Sequence, residues 1–173
     1  METKKIIEIP KNENPKKVSI QKEKKCRVIT QTDKWVLQPE HYNPETQFEI
    51  LTNKNSDDPI YKMILSQIQQ KINGYKSQDN EKKLYSPNIF VDLTHVLHIL
   101  GESNMTCYYC KKMTTILYEH VREPSQWTLE RIDNNYGHNK NNVVISCLSC
   151  NLSRRCMYHE RYLFTKQLNI VKK

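Results

Sequence analysis

The sequence predicts an α+β chain: a small zinc-centred domain of short strands and a helix in the C-terminal half, preceded by a helical segment and an extended basic N-terminal arm. Three observations carry that prediction. Residues 107 to 151 are framed by two cysteine pairs, Cys107-x2-Cys110 and Cys147-x2-Cys150. Residues 57 to 101 hold apolar side chains at helical spacing between capping residues. Residues 1 to 28 mix lysines with prolines and show no sustained period. The expected organisation is an arm and extended segment over 1–56, a helical segment packing on the core over 57–103, and the zinc domain with its C-terminal helix over 104–173.

Taken in order, the arm METKKIIEIPKNENPKKVSIQKEKKCRV cannot bury enough apolar surface to offset the entropy of ordering it. It is expected to be flexible, either lying along phosphates or solvated. Residues 29–56 stay polar around Trp35, Val36, Phe48, Ile50 and Leu51, and are expected to wrap the domain as extended strand or loop. A helix starts at Asp57 or Asp58, with Pro59 in its first turn. It carries Ile60, Met63, Ile64, Ile68 and Ile72 on one face and stops at Gly74. Residues 75–88 read as a hydrophilic loop. A shorter helix runs from Asp92 or Thr94 to Gly101, with Val96, Leu97 and Leu100 inward. The β-branched and aromatic run TTILYEHV reads as a strand, as do QWTLERI and VVIS, with Asn134, Asn135 and Gly137 turning the chain between the last two. A helix from Leu148 to about Leu168 then turns Leu152, Cys156, His159 and Leu163 to the core, and Arg154, Tyr158 and Arg161 to another face.

Two CxxC knuckles on this spacing supply four soft donors without straining the backbone, which is what a tetrahedral structural zinc takes. The other readings of a CxxC pair are a thioredoxin-like redox motif and disulfides. No apolar region of the secretory kind follows Met1, and no apolar run approaches the roughly 18 residues of a membrane span. An intracellular, cytoplasmic or nuclear protein is expected, with no membrane partner, and in that setting cysteines are ligands or free thiols. Cys26 and Cys156 are left over. Mean hydropathy is low, −0.79. Zinc binding, on the order of 10 kcal/mol in small metallo-domains, would supply stability that a thin core does not. The net charge of +8 points to an anionic partner, for which nucleic acid is the commonest with a basic chain and a zinc site, the other reading being a charge that only aids solubility. The absence of alanine, with only three glycines, points to an AT-rich genome, viral or otherwise.

The order of knuckle, strand, polar loop, strand, knuckle and helix, with CYYC, TLERIDN, GHNKNNVVIS and CLSCN, resembles an HNH-type nuclease domain of the ββα-metal, treble-clef class. The resemblance covers about residues 104–160 and is carried most specifically by Asn142 five residues before Cys147 and Asn151 directly after Cys150. In that family an Asp–His pair ends the first strand. The Asp and a helix His or Asn hold a catalytic Mg2+ or similar ion, the His deprotonates water, and a strand Asn orients the His. The resemblance places Glu130 on the Asp, Arg131 on the His, Asn142 on the orienting Asn and Asn151 on the helix ligand. It implies structural Zn2+ on the four cysteines, a separate catalytic Mg2+ or Mn2+, and DNA as substrate.

Arg131 departs from the pattern, because a guanidinium stays protonated near neutral pH and cannot act as a base. His138, just after Gly137, is the best-placed substitute, ahead of His120 and His159. Asp133 shares a strand face with Arg131 and is an alternative ligand to Glu130. Phosphate and base contacts are expected from Lys140, Arg154, Arg155, Tyr158 and Arg161. The first functional reading is a metal-dependent endonuclease. The second is a non-catalytic zinc module that binds nucleic acid, such as a transcription factor of a large DNA virus. The third is a structural subunit of a larger assembly that meets a protein partner through its N-terminal region.

Overall fold

The computed structural model describes residues 6–9 and 23–172, and is α+β, with mixed helix and a small antiparallel sheet. Most of the expected flexible arm, 1–5 and 10–22, lies outside the described residues. Strand β1 (Ile6–Ile9) pairs in parallel with the last strand of the chain. Helix α1 (Val28–Gln31) and a 3-10 turn (Pro39–Tyr42) lead into α2 (Pro44–Asn53), where the sequence suggested an extended segment. The local reason is a complete start and stop. The Asn43 side chain accepts the Glu45 N–H at 2.8 Å, Pro44 takes the first position, and Lys54 turns left-handed at φ 50.

Helix α3 (Pro59–Glu81) begins as expected, with Asp58 accepting the Ile60 N–H at 2.8 Å. It runs on through Gly74, the expected stop. The extra turns bury Tyr75 and Asp79, and one interior glycine costs only about 1 kcal/mol against alanine. Helix α4 (Leu93–Glu102) is capped by Asp92 and buries Val96 and Leu100. The hairpin of β2 (Trp127–Arg131) and β3 (Val143–Cys147) has the register Trp127↔Cys147, Leu129↔Ile145 and Arg131↔Val143. Its apolar side chains meet those of α3 and α4 in one core that includes Ile64, Ile68, Leu100, Trp127, Leu129 and Ile145.

A two-stranded hairpin leaves an edge of unpaired backbone groups, and α3 covers it with side chains. The Leu129 N–H donates to the Tyr75 hydroxyl at 3.0 Å, and the Lys71 ammonium donates to the Trp127 carbonyl and to Gln126 Oε1. A similar substitution explains why TTILYEHV is not a strand despite its composition. Among the described residues its ladder-like contacts are isolated bridges, yet Thr114 to Leu117 are buried. The fully buried Gln47 stands in for the missing partner: its Oε1 accepts from the Ile116 and Leu117 N–H groups at 2.7 and 3.0 Å, and its Nε2 donates to the Leu117 carbonyl. One amide side chain satisfies the backbone that a neighbouring strand would otherwise have to satisfy.

The C-terminal helix is two helices, α5 (Leu148–Arg154) and α6 (His159–Gln167), followed by β4 (Asn169–Lys172), the partner of β1. Arg155 sits at φ 53 and ends the first. The break corrects the expected apolar stripe: Leu152 and Cys156 are exposed, whereas Leu163 and Tyr162 pack against the cysteines. No helix among the described residues is long and apolar enough to cross a membrane.

Candidate metal centre

Cys107 and Cys110 lie on a tight knuckle closed by Cys107 N–H to the Lys112 carbonyl and Lys111 N–H to the Cys107 carbonyl, with Lys111 left-handed at φ 59. The Tyr108 N–H donates to the Ile145 carbonyl at 2.8 Å, which ties this knuckle to β3. The second knuckle is the junction of β3 and α5, where Cys147 caps the helix and accepts the Cys150 N–H on its sulfur at 3.4 Å. The four sulfurs lie within 4.8 Å of one another, and those of Cys110 and Cys147 are 3.8 Å apart. A tetrahedron with zinc–sulfur bonds of about 2.3 Å needs edges of about 3.8 Å, so the donor set fits a four-coordinate zinc.

The electrostatics agree with that fit. The hydrogen bond from Cys147 holds the Cys107 thiol well below its ordinary range, and the Cys147 thiol is pushed up in return. Burial, and then the charge on Cys107, push the Cys150 thiol up to about 11. Packed this closely, the sulfurs cannot all ionise without a cation among them, and a divalent ion would supply the missing charge. Tyr109 and Tyr162, with ring centroids 4.8 Å apart, wall the cluster from solvent.

The residues expected to do chemistry are engaged otherwise. Glu130, 4% exposed, forms an ion pair with Arg154, 2% exposed, whose guanidinium also donates to the Arg131 and Ile132 carbonyls. Burial nonetheless pushes the Glu130 carboxyl up, its Oε2 has no hydrogen-bond partner, and Arg154 is internal in place of the surface position expected of a phosphate contact. Arg131 donates to the Asn134 and Tyr136 carbonyls, and Asp133 accepts the Asn135 N–H. Asn142 closes the same loop, accepting from the Asp133 N–H and donating to the Asp133 and Gly137 carbonyls. Asn151 donates to the Thr128 hydroxyl. Among the described residues, no group of three metal-ligating side chains forms on these positions.

His138 is buried and faces Asp79 of α3, with its backbone N–H donating to Oδ2 at 2.6 Å and its ring Nδ1 2.8 Å from Oδ1, while the ring stacks on Tyr75. Burial lowers its pKa against the opposing pull of Asp79. Gly137 permits this approach, because a Cβ there would meet the Leu84 carbonyl oxygen at 2.5 Å and Asp79 Oδ2 at 2.7 Å. Motif spacing carries no sign of Asp79, which lies 59 residues from His138. Lys140 pairs with Asp92. Arg155, Tyr158 and Arg161 are exposed around the α5–α6 turn.

Comparison of the chain with protein-family models, with curated proteins and with solved structures returns no match. The candidate metal centre therefore rests on the geometry of its four cysteines.

Proposed function

We propose that this chain is a zinc-stabilised nucleic-acid-binding module on a treble-clef, HNH-like frame, with DNA as its ligand, and that it binds without cutting. The observation that carries the reading is the Glu130–Arg154 ion pair. The carboxylate on the metal-ligand position of the motif is neutralised by a guanidinium that is itself hydrogen-bonded to the end of β2. A hard cation would have to reach a carboxylate that is buried against its guanidinium, and drawing the carboxylate away would leave that guanidinium buried and uncompensated, at a cost of several kcal/mol. Support for nucleic acid comes from the charge of +8 and from the exposed set of Arg155, Tyr158 and Arg161. The neighbouring loop adds the exposed Tyr136 and is held to Arg155 by the Asn134 side chain. Guanidinium groups among aromatic rings suit phosphates and stacked bases, with Glu160 as the carboxylate in their midst.

The endonuclease is the second reading, favoured by one observation: the Asp79–His138 pair, in which a carboxylate orients an imidazole as general bases are oriented. Two assays on zinc-loaded protein separate the readings. In fluorescence anisotropy with duplex DNA, affinity is expected to fall steeply between about 50 and 200 mM salt, and the slope to drop by about one for each of Arg155→Ala and Arg161→Ala. In a plasmid-nicking assay with Mg2+ or Mn2+, no cleavage is expected. Metal-dependent nicking lost in Asp79→Asn would establish the nuclease, and a flat salt response would leave the structural-subunit reading.

A further inference from the structure

Cys26 takes no part in the four-cysteine cluster, yet it does not stand alone. It forms an isolated antiparallel bridge with His120, so the two side chains leave the same face of a short backbone pairing. The pairing is pinned on both sides, by Arg27 N–H to the Glu119 carbonyl and Val121 N–H to the Lys25 carbonyl, each at 2.8 Å. The Thr30 hydroxyl reaches the Glu119 carbonyl at 3.2 Å, and the Arg27 guanidinium packs over the Trp35 and Tyr118 rings while donating to the Tyr118 carbonyl. The three side chains are therefore presented by an ordered backbone.

The Cys26 sulfur lies 3.6 Å from Glu119 Oε1, and His120 Nδ1 lies 3.8 Å from Glu119 Oε2. One donor atom from each residue falls within 4.8 Å of the others. Ligands of one tetrahedral zinc are about 3.3–3.8 Å apart, so small side-chain rotations bring sulfur, oxygen and nitrogen onto a single ion. The His120 ring is partly exposed, but its Nδ1 is buried and has no hydrogen-bond partner, a state that a bound ion would satisfy.

We propose that Cys26, Glu119 and His120 form a second metal site, which takes a divalent ion of the zinc class through one sulfur, one oxygen and one nitrogen and keeps a coordination position open. Binding exchanges the thiol proton for the metal: the S–H bond breaks, the proton leaves to solvent and the sulfur–metal bond forms. One thiolate and one carboxylate then balance the two positive charges, where four thiolates would leave the other site doubly negative. Mixed donors of this kind favour Zn2+ over Mg2+ or Ca2+, which take oxygen. Three protein ligands with an open position are the arrangement in which zinc activates water or accepts an outside ligand. Glu119 and His120 also line a groove of about 480 Å3 shared with Lys24, Tyr42, Met113 and Glu123, which gives such a ligand room. The site is independent of the nucleic-acid reading and of the four-cysteine centre.

Zinc content of the full chain, measured after equilibration in zinc-buffered solution, tests the site. Two zinc ions per chain are expected in the wild type and in a Cys156→Ser control, and one in Cys26→Ser, in His120→Gln and in Glu119→Gln. Unchanged cooperative melting of the variants would show that the four-cysteine centre is intact. Co2+ gives a second readout: the site with one thiolate should add weak visible bands distinct from the strong sulfur-to-cobalt absorption of the four-thiolate site, and Cys26→Ser should remove them. One zinc per chain in the wild type, or two retained in the Cys26→Ser/His120→Gln double variant, would overturn the proposal.

Discussion

At the scale of single residues, charges taken inside the protein set its sensitivities. Arg154 neutralises Glu130 in a place neither would occupy alone, and removing one partner leaves the other buried and uncompensated. Arg154→Met should therefore cost about 3–5 kcal/mol in urea unfolding, whereas Glu130→Leu/Arg154→Met should recover most of that loss. Lys71 is a second case. Burial, reinforced by the nearby charge of Arg27, lowers its ammonium pKa from 10.5 to about 7. Between about pH 7 and 10 the unfolded chain holds a proton that the folded chain has released, so this group's contribution to stability rises as pH rises through that window. Melting of zinc-loaded Lys71→Met, compared with wild type from pH 6.5 to 9, should show a flatter pH dependence. Equal slopes would mean that Lys71 is solvated like a surface lysine.

At the scale of elements, the chain does with other residues what glycine and strand partners usually do. Eight described non-glycine residues have positive φ, and no glycine does. Lys54, exposed where α2 ends, is one of them. Lys54→Gly removes the left-handed penalty at a cost in unfolded-state entropy, and should stabilise the protein by about 0.5–1 kcal/mol in the same unfolding assay. Gln47 likewise replaces a strand for residues 116–117, and Tyr75 with Lys71 replaces one for β2. This is why composition misleads over 114–121. β-branched side chains announce a buried extended segment, but what hydrogen-bonds its backbone depends on which distant group arrives there. The starts of α3 and α4 were legible, because Asp58 and Asp92 act on N–H groups two or three residues away. The break after Arg154 was not, because it follows the burial of that side chain against β2.

At the scale of the whole molecule, the two cysteine knuckles join the hairpin to α5 and pack with α6, while α3 and α4 close the other side of the hairpin. Removing zinc with a strong chelator should abolish cooperative melting of the region from 104 to 162, and near-ultraviolet circular dichroism would report the loss of its packed tyrosines; a metal-free protein that still melts cooperatively would refute a structural role for the ion. The four cysteines, the starts of α3 and α4 and the strands β2 and β3 could be read from the chain, since each depends on spacings of a few residues or on a local pattern. The tertiary structure alone decided the partners of chemically capable side chains: Glu130 with Arg154, Asp79 with His138, and Cys26 with Glu119 and His120. Such pairs join segments far apart in sequence, and their formation is governed by how the entire core closes and by the cost of burying a charge without its counterpart. A local pattern records neither.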